Sequence, residues 1–264
     1  MLSPYAPHNG FRRFKSVARE GNHLMTLQAA TICKGCWQQM HMPIPLRGVL
    51  SVPFRAFGIR PSRMNPNICT ICEMMFERAM KARTVMLDAT ILFADLRAYT
   101  KLSQSMSPIE MRGVLDAFYD RCASAIWHYD GLLNKTIGDA VMAVFNFPIR
   151  RADHARQALL AAREMQRTFE HYRAEHAEGL ARSGIGVGIH TGEISFGEFG
   201  QTHRDLTAIG TVVNTASRAQ TAAEPGQILV TEAVFEKARS ELRDSTVQEY
   251  QLKGFDEPIR LYRA

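Results

Sequence analysis

Three stretches of this 264-residue chain place side chains suited to phosphate chemistry: Ile91-Leu-Phe-Ala-Asp95-Leu-Arg-Ala-Tyr-Thr100, Lys135-Thr-Ile-Gly-Asp139-Ala-Val-Met-Ala143 and Ile209-Gly-Thr-Val-Val-Asn214-Thr-Ala-Ser-Arg218. Asp95 and Asp139 are hard oxygen donors. With a backbone carbonyl and a substrate's own phosphates, they suit Mg²⁺ or Mn²⁺ better than zinc. Asn214 and Arg218 are four residues apart, on one face of a helix; the amide can hold a ribose or base edge, and the guanidinium can offset charge developing on phosphorus. Lys253, just before Gly254, is placed to neutralise terminal phosphates. Singly, each has a plainer role: Asp95 as a helix cap, Asp139 as a turn residue, Asn214 and Arg218 as a solvated helix face. Their combination points to a nucleoside polyphosphate.

Positioning these groups requires a particular order of elements. An apolar run at 90–94 predicts a strand that ends at Asp95, followed by a helix over 108–128 with Met111, Leu115, Phe118, Cys122 and Ile126 on its inner stripe. A hairpin follows, 132–137 and 141–145, turning through Gly138 and Asp139. Ala155, Leu159, Ala162, Met165 and Phe169 recur at helical spacing. Ile185, Val187 and Ile189 then alternate with glycines, as in a strand lying against another backbone or a ligand. The order β-α-β-β-α-β predicts an α+β fold of the split-βαβ, ferredoxin-like kind, with Asp95 and Asp139 at one edge of the sheet.

The first part of the chain has a different character. Residues 1–72 hold nine Lys and Arg against Glu20 alone, within a net charge of +6, so the remainder is slightly acidic. Such a basic segment can favour nucleic acid, a membrane surface or an acidic protein face, or simply be solvated. Residues 1–24 read as a disordered leader, and Met25 is an alternative start. Residues 25–72 form a module with two matched pairs, Cys33-Lys-Gly-Cys36 and Cys69-Thr-Ile-Cys72. Four thiolates at this spacing suit Zn²⁺, an iron–sulfur cluster or a reversible dithiol. A helical connector over 73–85 leads into a catalytic domain at 86–264. No apolar run approaches the roughly 20 residues of a membrane-spanning helix, which predicts a soluble, cytoplasmic protein.

The set Phe93-Ala-Asp95, Lys135-Thr-Ile-Gly-Asp139, Gly188-Ile-His-Thr-Gly192, Ile209-Gly210, Asn214-x-x-x-Arg218 and Leu252-Lys-Gly254 resembles the catalytic domain of the class III adenylyl and guanylyl cyclases. The resemblance implies conversion of ATP to cyclic AMP and pyrophosphate with two divalent ions, in a site shared across a homodimer. By it, Asp95, Leu96 and Asp139 take the metals, Asn214 orients the ribose, Arg218 stabilises the transition state and Lys253 contacts phosphates. Lys135 matches a position that is lysine in adenylyl and glutamate in guanylyl cyclases, and Thr207 matches the second base-reading position. Three positions depart from the family pattern: Ala98 replaces a frequent glycine, Leu206 a frequent tyrosine, and Thr211 a common acidic or amide residue. A guanylate cyclase and a catalytically silent nucleotide sensor are the alternatives.

Overall fold

The computed structural model describes residues 31–82, 84–176, 180, 183–200, 202 and 205–264. The expected leader at 1–24 and the alternative start at Met25 lie outside the described residues.

The sheet is built around β1 (Val85–Arg97), flanked by β3 (Ala140–Phe145) and β4 (Gly184–Phe199), both antiparallel to it. β2 (Leu132–Ile137) pairs with β3, while β6 (Ile228–Thr231), β8 (Ile259–Arg263) and β7 (Thr246–Tyr250) extend the far side in the order β2-β3-β1-β4-β6-β8-β7. β5 (Asp205–Ile209) pairs with the outer end of β4. The first strand is longer than the apolar run predicts, because thirteen of its residues find partners on β4 regardless of side-chain polarity.

Alternation along β1 divides the core. Leu92, Ala94 and Leu96 point to one face, closed by α5 (Pro108–His128) and α6 (His154–Glu175), whose stripes Met111, Phe118, Cys122, Ile126 and Ala155, Leu159, Ala162, Met165, Phe169 are buried there. Ser107 starts α5 with a reciprocal capping box to Glu110. Ile91 and Phe93 point to the other face, against α7 (Thr211–Ala222) and the end of α3 (Thr70–Ala82). A short α4 (Tyr99–Ser105) follows β1, and α8 (Glu232–Lys237) follows β6.

α7 lies unusually close to the sheet. A Cβ on Gly188 would stand 2.0 Å from the Gln220 nitrogen and 2.4 Å from the Ala216 carbonyl oxygen. The alternating glycines therefore serve an approach of backbone to backbone, as the pattern predicts.

The N-terminal segment contributes α1 (Lys34–Met40), a 3-10 turn (Val49–Ser51) and α2 (Val52–Ala56). The connector differs from expectation: α3 begins at Thr70, between Cys69 and Cys72, so the cysteine pair initiates this helix instead of preceding it. Among the described residues, no helix is long and apolar enough to cross a membrane.

Two outcomes follow from this packing. Gly188→Ala should lower unfolding free energy by about 3 kcal/mol or abolish folding, read as a urea midpoint, because helix and strand backbones must separate. His190 bonds Thr231 Oγ1 through Nδ1 at 2.7 Å, and burial pushes its pKa down to about 4. Between pH 6.5 and 4 the unfolded chain binds a proton that the fold rejects, so stability should fall with pH across that window, by up to about 3 kcal/mol. A His190→Asn variant should lose this part of the slope in urea titrations at several pH values.

Candidate active site and thiolate cluster

Asp95 is the last residue of β1 paired with β3, opposite Ala140, and it faces Gly186 on β4. The hairpin tip is tied to the same point: the Leu96 amide donates to the Asp139 carbonyl at 2.9 Å. Gly138 supplies the positive φ of 60° that the turn needs, and its carbonyl accepts from the Tyr119 hydroxyl. Asp95 and Asp139 thus share one sheet edge, with Leu96 between them. Burial raises the Asp95 pKa; Arg97 opposes this and the Asp139 charge adds to it. Two carboxylates that destabilise each other's charge are a natural seat for a cation.

Arg97 is a neighbour that motif reading passed over. It sits two residues after Asp95, hence on the same face of the strand, and its Nη1 lies 3.2 Å from Asp95 Oδ1. Its Nη2 reaches the Gln220 carbonyl towards the end of α7, while its Nε is buried without a hydrogen-bond partner among the described residues. Gly186 makes room, since a Cβ there would meet Nε at 2.3 Å. Strand alternation was the signal available for this residue.

After Arg97 the chain turns through Ala98, in the left-handed region at φ 65°, into α4. Ala98 offers no capping side chain, so the leading amides of α4 remain for other acceptors.

Lys135 and Phe93 project to the same face, because Lys135 pairs with Met142 and Met142 packs with Phe93. Lys135 forms an ion pair with Asp205, and Asn134 Nδ2 donates to the Leu206 carbonyl at 2.9 Å. Thr207 reaches Asn134 Oδ1 at 3.4 Å, so Lys135 and Thr207 are neighbours although 72 residues apart in sequence. Asp205 and Asn134 were absent from the motif reading, yet each adjoins a motif residue.

Asn214 and Arg218 lie on the outer side of α7, whose inner side buries Val212, Thr215, Ala216 and Ala219. Asn214 is exposed and Arg218 half-buried, and neither side chain makes a hydrogen bond or ion pair among the described residues. Leu252 packs with Ala219 and Ala223, which holds the exposed Lys253 beside this helix. Among the described residues, no hydrogen bond or ion pair joins Asp95 or Asp139 to Asn214 or Arg218. A cleft of about 440 Å³, lined by His190, Thr215, Thr231, Glu232 and Arg260 among others, contains none of these groups.

The four cysteines of the two pairs converge. Sulfur separations are 3.7 Å for Cys33–Cys72, 3.6 Å for Cys36–Cys69 and 3.5 Å for Cys36–Cys72, and all four sulfurs lie within 4.8 Å of one another. They are buried with Leu46, Ile68 and Ile149. Cys122 is separate, fully buried in the main core as a small hydrophobe. The cysteine segment is docked: Asp130 receives Lys34, Arg151 and Asn67, and Asn65 donates to the Gly131 carbonyl at 2.7 Å.

The sheet thus carries two adjacent carboxylates at one edge and an Asn/Arg pair on a helix over one face. Residues 83–263 match the adenylate and guanylate cyclase catalytic domain, and the chain belongs to that family. It is 37% identical over 187 residues to an adenylate cyclase of Anabaena cylindrica, covering 66% of this chain and 36% of that protein. It is 30% identical over 179 residues to a receptor-type guanylate cyclase of Caenorhabditis elegans, covering 67% and 16%. The adenylyl cyclase CyaB from P. aeruginosa superimposes with a TM-score of 0.63 at 28% identity, covering 69% of this chain and 95% of that structure. The guanylyl cyclase Cya2 gives 0.63 at 27%, covering 68% and 92%. The chain thus spans about a third or less of these two curated relatives, one adenylate- and one guanylate-specific by name.

Ala98 generates a direct test of the phosphate-side loop. An alanine in the left-handed region costs about 1 kcal/mol relative to glycine. Ala98→Gly should therefore raise the unfolding free energy by about that amount, read as a higher urea midpoint with the m-value unchanged.

Proposed function

We propose that the chain is an adenylate cyclase, converting ATP to 3′,5′-cyclic AMP and pyrophosphate in a site completed by a second copy. The observation that carries this reading is the division of one sheet face. Asp95 and Asp139 stand at its edge, while Asn214 and Arg218 stand on α7 with no hydrogen bond or ion pair to them among the described residues. A two-fold dimer brings the carboxylates of one chain to the Asn/Arg helix of the other, giving two equivalent sites. Ile137, two residues beyond Lys135 on β2, is half exposed and available to such a contact.

Asp95, Asp139 and the Leu96 carbonyl would hold two Mg²⁺ or Mn²⁺ ions; hard oxygen donors and unbalanced negative charge fit these cations. Bound there, the ions supply Lewis acidity to the 3′-hydroxyl and the leaving phosphates. The O3′–Pα bond forms as the bond from Pα to the pyrophosphate oxygen breaks, and the hydroxyl proton is lost to solvent. Arg218 offsets charge on the transferring phosphorus, Asn214 orients the ribose, and Lys253 meets the terminal phosphates. In the substrate-free chain Lys135 is held by Asp205, an exposed pair worth about 1 kcal/mol or less, so a base edge can recruit its ammonium cheaply.

The adenine preference rests on Lys135 and Thr207. A lysine donor suits the N1 acceptor of adenine and opposes the N1–H of guanine. Names of both specificities among the relatives make guanylate cyclase the alternative.

Two measurements test this. Asp95→Ala and Arg218→Ala chains should each lose cyclic AMP formation by about 10³-fold, as expected for a metal ligand or a transition-state donor. Mixed, they should recover about a quarter of wild-type turnover through one intact site in half of the dimers. Dimeric mixtures with no recovery would refute the shared site. Lys135→Glu should lower the ATP-over-GTP ratio of kcat/KM by at least about tenfold.

A further inference from the structure

We infer that Cys33, Cys36, Cys69 and Cys72 hold a single tetrahedral zinc ion, which pins the 61–69 loop onto Asp130 and so orders the root of the Lys135–Asp139 hairpin. Four thiolates at the Zn–S distance of about 2.3 Å stand about 3.8 Å apart along the edges of a tetrahedron. Three of the six separations, at 3.5 to 3.7 Å, match that figure, and the other three stay within 4.8 Å. A polynuclear iron–sulfur cluster spreads its thiolates over separate irons with sulfide between them, which a set confined within 4.8 Å does not admit.

The surroundings are built for thiolates. Cys33 caps α1 and Cys69 immediately precedes α3, so both pairs sit at helix N-termini, where amides and the helix dipole favour negative charge. Cys33 Sγ accepts from the amides of Cys36 at 3.3 Å and Cys69 at 3.1 Å. Gly35 lets the second pair approach, since a Cβ there would lie 2.9 Å from Cys72 Sγ. Of the seven buried residues in this small core, four are the cysteines themselves. A crosslink adds much to so small an apolar core.

Both pairs also lead to the same acceptor. Lys34, inside the first pair, and Asn67, two residues before the second, each bond Asp130, which is 3% exposed with φ 63°. Asn67 further donates to the Trp127 carbonyl at 2.7 Å, and the Trp127 indole donates to the Met64 carbonyl at 3.1 Å. Gly131, the next residue, has no slack: a Cβ would meet Phe145 at 2.7 Å and Ile126 at 2.9 Å. One residue later β2 begins, carrying Lys135 and leading to Asp139. Fixing the four sulfurs therefore fixes the start of the strand that bears site residues. The inference extends the cyclase reading, but none of its tests uses turnover.

The full chain, purified without chelator, should contain about one zinc per chain, released when a mercurial titrates the thiols. Cobalt exchanged into the same protein should show the intense visible bands of a tetrathiolate site. Hydrogen exchange should accelerate about tenfold or more at residues 126–137 on zinc removal, with 185–196 unchanged. Asp130→Asn should retain zinc yet show the same acceleration, which separates the clamp from mere loss of the module's fold. Iron with acid-labile sulfide, mononuclear iron, or a metal-free chain with native exchange would each overturn the zinc assignment. Zinc loss that leaves 126–137 unchanged would overturn the clamp.

Discussion

The antiparallel pairing of β1 with β3 on one side and β4 on the other is the constraint from which the site follows. Its register places Asp95 beside Ala140, ties Asp139 to Leu96, and opposes Asp95 to Gly186. A slip of one residue would turn Asp95 towards α5 and α6 and carry Ala94 and Leu96 to the opposite face. Because both faces of β1 are buried along its central part, such a slip is costly. The placement of the two carboxylates is thus inherited from hydrophobic patterning.

Around that strand, polar groups are paired where the chain alone can pair them and left open where it cannot. Arg97 partly compensates Asp95, and Asp205 occupies Lys135. Asn214 and Arg218, by contrast, face outward with no partner among the described residues, although the same helix seats its inner side against glycines of β4. A half-buried guanidinium without a counter-charge is tolerated when an anion is to arrive. Under the cyclase reading, the open groups and the excess carboxylate charge are two halves of one binding site held apart until chains associate.

The cysteine segment adds a second layer. Its polar contacts gather at the junction between α5 and β2, with further contacts from Gln38 to Arg150 and from the cysteines to Ile149. Influence from this segment would therefore travel through the hairpin that bears Lys135 and Asp139. Both cysteine pairs open helices, so ordering their sulfurs also orders the helix starts that present Lys34 and Asn67.

Much of this was legible before any coordinates. The motif residues, the split-βαβ order, the inner stripes of α5 and α6 and the glycine-alternating strand follow from local spacing, because side-chain periodicity reports directly on which face is buried. Other features belong to tertiary structure. Nothing local announces that β1 runs from Val85 to Arg97, that Arg97 folds over Gly186, that Asp205 holds Lys135, or that α3 starts inside a cysteine pair. Asp130 carries no motif, yet it gathers three partners from distant segments. The sequence by itself determined which chemical groups the chain owns and the face each occupies on its own element. Tertiary structure decided which groups meet, because strand register, the close approach of backbones at glycine and buried ion pairing depend on partners far along the chain.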